Sequence, residues 1–349
     1  MSVPLPSPRI FVQTEVVLMA DVYLGFETAW EYWRAVGSGI APWPQWTDVR
    51  GVSGETNLDA EIIAANPKFR LVDRAPTHVL VSSRNKHHCT HQVRRHACTQ
   101  MLPAGSFFRI FDDVLIASPA LCLLQAAQRS KPTEMLPFLE LCMEFLGGYS
   151  LCEGIPRGFM RHQPFLDMNT LVSFAGQLPP RTRGMVMLEK ALRLVRHNSW
   201  SPRETSSFLM LTLPVKLGGY GLPKPVLNFP VPHSPQPLFL DLYWEGTSAA
   251  FEYDGSDHLD PQKVAEDKAR RNLLAALGYR IIVVEKSHLE NIRLLNQQIA
   301  LLAGMIGTEL EEASPKELDA RRNLRGYLFG ARHHWSSPLT RPIILPPAG

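Results

Sequence analysis

LFLDLYWEGTSAAFEYDGSDH, residues 238–258, consists of two apolar runs around a glycine turn, and both runs carry carboxylates where a buried strand has no packing use for them. Side chains alternate along a strand, so Leu238, Leu240 and Leu242 share one face while Asp241 takes the other, between Phe239 and Tyr243. The same rule groups Ala250, Glu252 and Asp254. With the two strands paired and these faces aligned, three carboxylates converge, and Asp257 and His258 follow just past Gly255. Like charges at that range repel and raise one another's pKa unless a cation sits among them. Such an oxygen cluster suits a hard divalent ion, Mg2+ or Mn2+.

The flanking segments supply helices. In SPRETSSFLMLTLP (201–214), Ser201 caps, Pro202 takes the first helical position and Glu204 stands three residues after the cap. VKLGGYGLPKP (215–225) is a glycine-rich break, after which VLNFPV, LFLDLYW and SAAFEYD read as three strands. PQKVAEDKARRNLLAALG (261–278) is a helix ended by Gly278, and YRIIVVE (279–285) is a further buried strand. The order is helix, three strands, helix, strand. On the second helix Leu273, Leu274 and Leu277 form the sheet-facing stripe, with Lys263 and Arg270 on the same side and Asp267 at its edge. Basic groups on such a stripe need partners, and the strand carboxylates are the nearest ones.

Asp241, the run EYDGSDH, then Asp267, Arg270, Leu274 and Gly278 in the pattern D..R...L...G followed by YRIIVV, resemble the PD-(D/E)XK nuclease superfamily. Within it the likeness is to very-short-patch-repair (Vsr-like) endonucleases, over residues 202–290. THVLVSS (77–83), WSPRE (200–204) and LGGYGLP (217–223) are similar to bacterial proteins that join such a domain to an AbiEi-like antitoxin region. The resemblance implies an α/β chain whose restriction-endonuclease-like core follows a smaller mixed α+β region. It implies a DNA endonuclease using Mg2+ or Mn2+, with Asp241 and Glu252 holding the ion, Glu204 as a further ligand and His258 transferring a proton. The superfamily lysine expected two residues after Glu252 is Asp254 here. Either Lys263 or Arg270 supplies the cation, or the chain is a catalytically inactive nuclease-fold protein, DNA-binding or antitoxin-like and regulatory.

Ordinary readings stand beside these. Glu204 completes a cap, Asp254 before Gly255 is turn chemistry, and Asp267 pairs with Arg270 or Arg271 along one helix. RNKHHCTHQVRRHAC (84–98) offers His and Cys residues without zinc-site spacing, so it reads as a solvated basic segment. Its Arg84, Lys86, Arg94 and Arg95 are the candidate phosphate contacts.

At 349 residues the chain has room for more than one domain. The divisions expected are 10–150 (mixed α+β), 165–305 (nuclease-like with leading helices) and 306–349 (a helix and a proline-rich tail). Within the first, a helix is expected over 16–36 and single strands over 77–83 and 107–118; a later helix is expected over 289–302. Lys and Arg total 36 against 33 Asp and Glu, a net +3 that excludes nucleic-acid binding by bulk charge. Any such partner must meet a local patch. Five cysteines, no leader and no apolar run of ~18 residues point to a reducing cytoplasm and no membrane span, with a protein partner left open.

Overall fold

A computed structural model describes residues 21–53, 76–83, 89–111, 113–254, 261–330, 339–341 and 343–344. Val22–Leu24 (β1) is a run of three buried residues that passes through Gly25 into Phe26–Gly37 (α1). The helix expected over 16–36 therefore occupies only its second half among the described residues, because β1 is paired on both sides. Gln45–Trp46 (β2), Thr77–Val81 (β3), Val93–Ala97 (β4), Phe107–Phe111 (β5) and Val114–Ala117 (β6) complete a six-stranded sheet in the order β2-β5-β6-β1-β3-β4. β1 runs parallel to β6 and antiparallel to β3. The single strand expected over 107–118 is an antiparallel pair, β5 and β6, with Asp113 at the turn. An acidic turn residue ends one ladder and starts the next.

Pro119–Arg129 (α2) begins where Ser118 accepts the Leu121 N–H and Pro119 takes the first helical position. Met135–Leu146 (α3) is buried on every side from Pro137 onward, which makes it the central helix of the molecule. Burying Glu144 there demands a counter-charge. Arg34 of α1 supplies it through Nε to Oε1 at 2.7 Å and Nη2 to Oε2 at 2.6 Å, and also donates to the Leu339 and Arg341 carbonyls. Tyr149–Glu153 (β7) and Phe159–Arg161 (β8) form an antiparallel pair, followed by Met168–Gly176 (α4) and Met185–Leu194 (α5).

Pro202–Thr212 (α6) starts at Ser201 as its sequence requires. The LGGYGLP segment folds back on the end of this helix: Tyr220 and Leu222 donate backbone N–H groups to the Met210 and Leu211 carbonyls. Gly218 has φ +89°, and a side chain at Gly219 would strike the Leu213 carbonyl, so both positions need glycine. Val226–Pro230 (β9), Phe239–Tyr243 (β10) and Ala249–Asp254 (β11) are antiparallel neighbours. Pro261–Ala276 (α7) then crosses to Arg280–Glu285 (β12), parallel to β11. Lys286–Glu290 (α8), Ile292–Met305 (α9) and Pro315–Phe329 (α10) follow. The one helix expected over 289–302 is split because Asn291 caps anew, accepting from Arg293 and Leu294 N–H. The tail contributes Ile343–Ile344 (β13), parallel to β7.

The chain is thus an α/β protein with mixed sheets. Trp33, Leu124, Phe145, Phe208, Phe251 and Ile299 belong to one core cluster, so the two larger sheets and the central helix share an interior. Each such side chain contributes about 1.5–3 kcal/mol on burial. Among the described residues no helix is long and apolar enough to cross a membrane.

Candidate functional site

Asp241, Glu252, Tyr253, Asp254, Asp267, Arg270, Arg271 and Val283 line a cavity of about 230 Å³ between β10, β11, β12 and α7. Strand register creates it. Leu242 pairs with Phe251 and Tyr243 with Ala250, so one step further Asp241 lies opposite Glu252. On the other side of β10 the pairs Leu240–Phe229 and Leu242–Leu227 flank Asp241 and Asn228, and Asn228 has φ +48° inside its strand. That kink alters the expected alternation: Leu238 and Leu240 pack with Leu274 in a small second cluster, whereas Leu242 enters the main core. Asp241 sits at the change-over. The α7 stripe is also narrower than expected, since Leu274 is buried, Leu273 half-buried and Leu277 exposed.

Among the described residues, the cations lining the cavity are already engaged. Arg270 donates Nη1 to Glu252 Oε2 at 2.8 Å and Nη2 to Oε1 at 2.6 Å, and Nη2 also reaches the Phe239 carbonyl at 2.8 Å. This two-pronged pairing, with the nearby charges of Asp241 and Asp267, holds the Arg270 guanidinium above its ordinary pKa against the pull of burial. Arg271 Nη2 meets Asp254 Oδ2 at 3.0 Å. The sequence alone pairs Arg271 only with Asp267, along the helix.

Asp241 is different. Among the described residues no donor bonds to its carboxylate. Burial pushes its carboxyl well above the usual range, Glu204 and Glu252 push it the same way, and Arg270 and Arg161 pull it back. Glu204, a further carboxylate, lies at the first turn of α6 and is buried. Its Oε2 accepts the Trp200 N–H at 2.7 Å and the Asn228 amide at 2.5 Å, and its Oε1 accepts the Ser201 hydroxyl at 3.0 Å. Burial raises its pKa despite these bonds and the Arg161 charge. The cap differs from the expected box in one respect: the Glu204 side chain returns to the N–H of Trp200, one residue before the N-cap.

No family model, curated protein or solved structure matches this chain. The site's chemistry must be read from its own residues.

His258, Arg84 and Lys86 lie outside the described residues, as does the side chain of Lys263, whose backbone is in the first turn of α7. Arg94 and Arg95 lie on β4, an edge strand of the other large sheet, and do not line the acidic cavity. Larger cavities of about 670 and 510 Å³ border that sheet, but neither gathers carboxylates. Among the described residues no three His, Cys, Asp or Glu side chains are arranged to hold a metal ion. The donors nonetheless suit a hard cation in kind: Asp241 offers an oxygen without a hydrogen-bond donor, and Glu252 offers two once Arg270 withdraws.

Sequence reasoning missed Arg161, Asn228 and Trp200. Trp200 is half-buried beside the site. Arg161 comes from β8, and nothing local in FMR signals its approach to Glu204, 3.7 Å away.

Proposed function

We propose that this chain is a divalent-metal-dependent endonuclease acting on DNA phosphodiester bonds, built on a PD-(D/E)XK-like core. The observation that carries the reading is Asp241, a half-buried carboxylate with no donor among the described residues, set opposite Glu252 in the acidic cavity. Asp241 and Glu252 are the residues to hold Mg2+ or Mn2+. A bound ion there supplies a polarised phosphate and a water of lowered pKa. Glu204 contributes mainly by fixing the start of α6, with its oxygens already accepting three hydrogen bonds. His258 is the residue for proton transfer. Asp254, tied to Arg271, leaves the position of the superfamily lysine without positive charge.

Incubating the purified protein with supercoiled, nicked, mismatched and single-stranded DNA, with and without Mg2+ or Mn2+, tests this. Cleavage is expected with the ion alone, absent in Glu252→Gln, and slowed in His258→Ala by about two to four orders of magnitude. Equal cleavage by wild type and Glu252→Gln sinks the metal-site reading. The Arg270 fork on Glu252 favours a second reading, a catalytically inactive nuclease-fold DNA-binding or antitoxin-like regulatory protein. DNA binding without cleavage under every condition selects it.

A further inference from the structure

Among the described residues three arginines approach the acidic cluster, and two of them are engaged. Arg270 commits its donors to both oxygens of Glu252 and to the Phe239 carbonyl. Arg271 is turned to Asp254. Arg161 forms one ion pair among the described residues, the 3.7 Å approach to Glu204, and its side chain is 55% exposed. That separation is longer than a hydrogen bond, and Glu204 is already satisfied by Trp200, Ser201 and Asn228, so Arg161 is not locked onto it.

What fixes Arg161 is an aromatic face. Its guanidinium carbon lies 5.3 Å above the Trp200 ring. Trp200 is itself held by its indole N–H to Asn198 Oδ1 at 2.8 Å and by its edge-on contact with Phe239, with centroids 4.8 Å apart. Phe239 is two residues from Asp241 on β10. A guanidinium held over an indole face is positioned without spending its N–H donors, which stay available for a bidentate oxyanion.

We propose that Arg161 is the phosphate-contacting residue of this site, binding the non-bridging oxygens of a DNA phosphodiester beside Asp241, with Trp200 as its positioning residue. The inference rests on the nuclease-like reading of the pocket. It places the charge that Asp254 cannot supply on a strand of another sheet.

Equilibrium binding of a short fluorescein-labelled DNA duplex and of its single strand, in chelator and across a salt series, reads this contact without any cleavage. Arg161→Gln is expected to weaken binding about tenfold and to lower the magnitude of the log K against log salt slope by about 0.9, one phosphate contact. Arg161→Lys keeps the slope and loses part of the affinity, because a point charge replaces the fork. Trp200→Leu weakens binding with the slope retained. Arg322→Gln is the control, since its partner is Asp319 on α10. Unchanged affinity and slope in Arg161→Gln, with an unchanged melting temperature, overturn the proposal; the nuclease reading survives that result if wild type cleaves DNA in Mg2+. A lowered slope in a protein that cleaves DNA neither with Mg2+ or Mn2+ nor without them keeps the Arg161 contact and removes the nuclease. Wild type that binds neither probe overturns the Arg161 contact, and if it also cleaves no DNA in Mg2+ or Mn2+ it overturns both.

Discussion

Arg270 grips Glu252 with two parallel hydrogen bonds of 2.6 and 2.8 Å, joining the middle of α7 to β11 across the acidic cavity. The guanidinium stands where a metal-binding carboxylate would need its oxygens free, so on the proposed function a cation from solution would have to compete with Arg270 for Glu252. Arg270→Met should therefore lower stability by about 2 kcal/mol in chelator, less than a fully buried pair because Arg270 is 29% exposed. Mg2+ should recover more of the melting temperature in Arg270→Met than it adds to wild type, by mass action on a site no longer shared. Equal Mg2+ effects on the two proteins would mean that no ion competes there.

Asp241 gives the opposite stability effect. Its folded pKa lies above the unfolded one through burial, with Glu204 and Glu252 adding to it. Its favourable contribution is thus present below the unfolded value and is lost as pH rises through the folded value, leaving a penalty at neutral pH. Asp241→Asn should raise the melting temperature at about pH 8 in chelator, and the gain should vanish below about pH 4, where both residues are neutral in both states. Loss of cleavage alongside that gain would be the trade-off expected of a functional site. A variant less stable than wild type at pH 8 would make Asp241 structural.

How much of this was legible beforehand depended on the range of the determinant. The elements from α6 to β12 follow local rules, namely the Ser201 cap, the glycines after Leu217 and the Gly278 stop, and they appear in the order read from sequence. The face change at Asp241 was not legible, since strand alternation assumes a regular neighbour and Asn228 is not one. Arg34 with Glu144, 110 residues apart, and Arg161 with Glu204 depend on the packing of separate sheets and helices. No periodicity within one element records such pairs.

Glu140 should set a pH dependence far from the acidic cavity. It is buried on α3, and burial, with Glu144 adding to it, pushes its pKa up to about 7 although the Tyr327 hydroxyl donates to Oε2 at 2.9 Å. Relative to an unfolded value of 4.5, the folded state binds the extra proton between about pH 4.5 and 7. This stability is fully present below that window and lost as pH rises through it, on the order of 3 kcal/mol. Glu140→Gln, whose amide oxygen still accepts from Tyr327, should flatten the difference between denaturation at pH ~5 and pH ~8. Persistence of the wild-type difference in the variant would assign it to another group.

Glu204 separates cap from ligand. Its carboxylate accepts from the Trp200 N–H, the Asn228 amide and the Ser201 hydroxyl, and a glutamine can reproduce most of this. The amide oxygen would take the place of Oε2, facing Trp200 and Asn228. The amide nitrogen would take that of Oε1 and donate to Ser201, whose hydroxyl can reorient. Glu204→Gln should therefore fold with a melting temperature equal to or above wild type at neutral pH, because burial raises the carboxyl's pKa and the neutral side chain escapes that penalty. Glu204→Ala should instead cost about 1–3 kcal/mol, leaving the buried Asn228 amide and the Trp200 N–H without an acceptor. Titrating Mn2+ into both variants by calorimetry, with wild type alongside, then reads the ion. Weaker binding in Glu204→Gln with the fold intact makes Glu204 a ligand. Unchanged affinity confines it to holding the start of α6, with the ion left to Asp241 and Glu252.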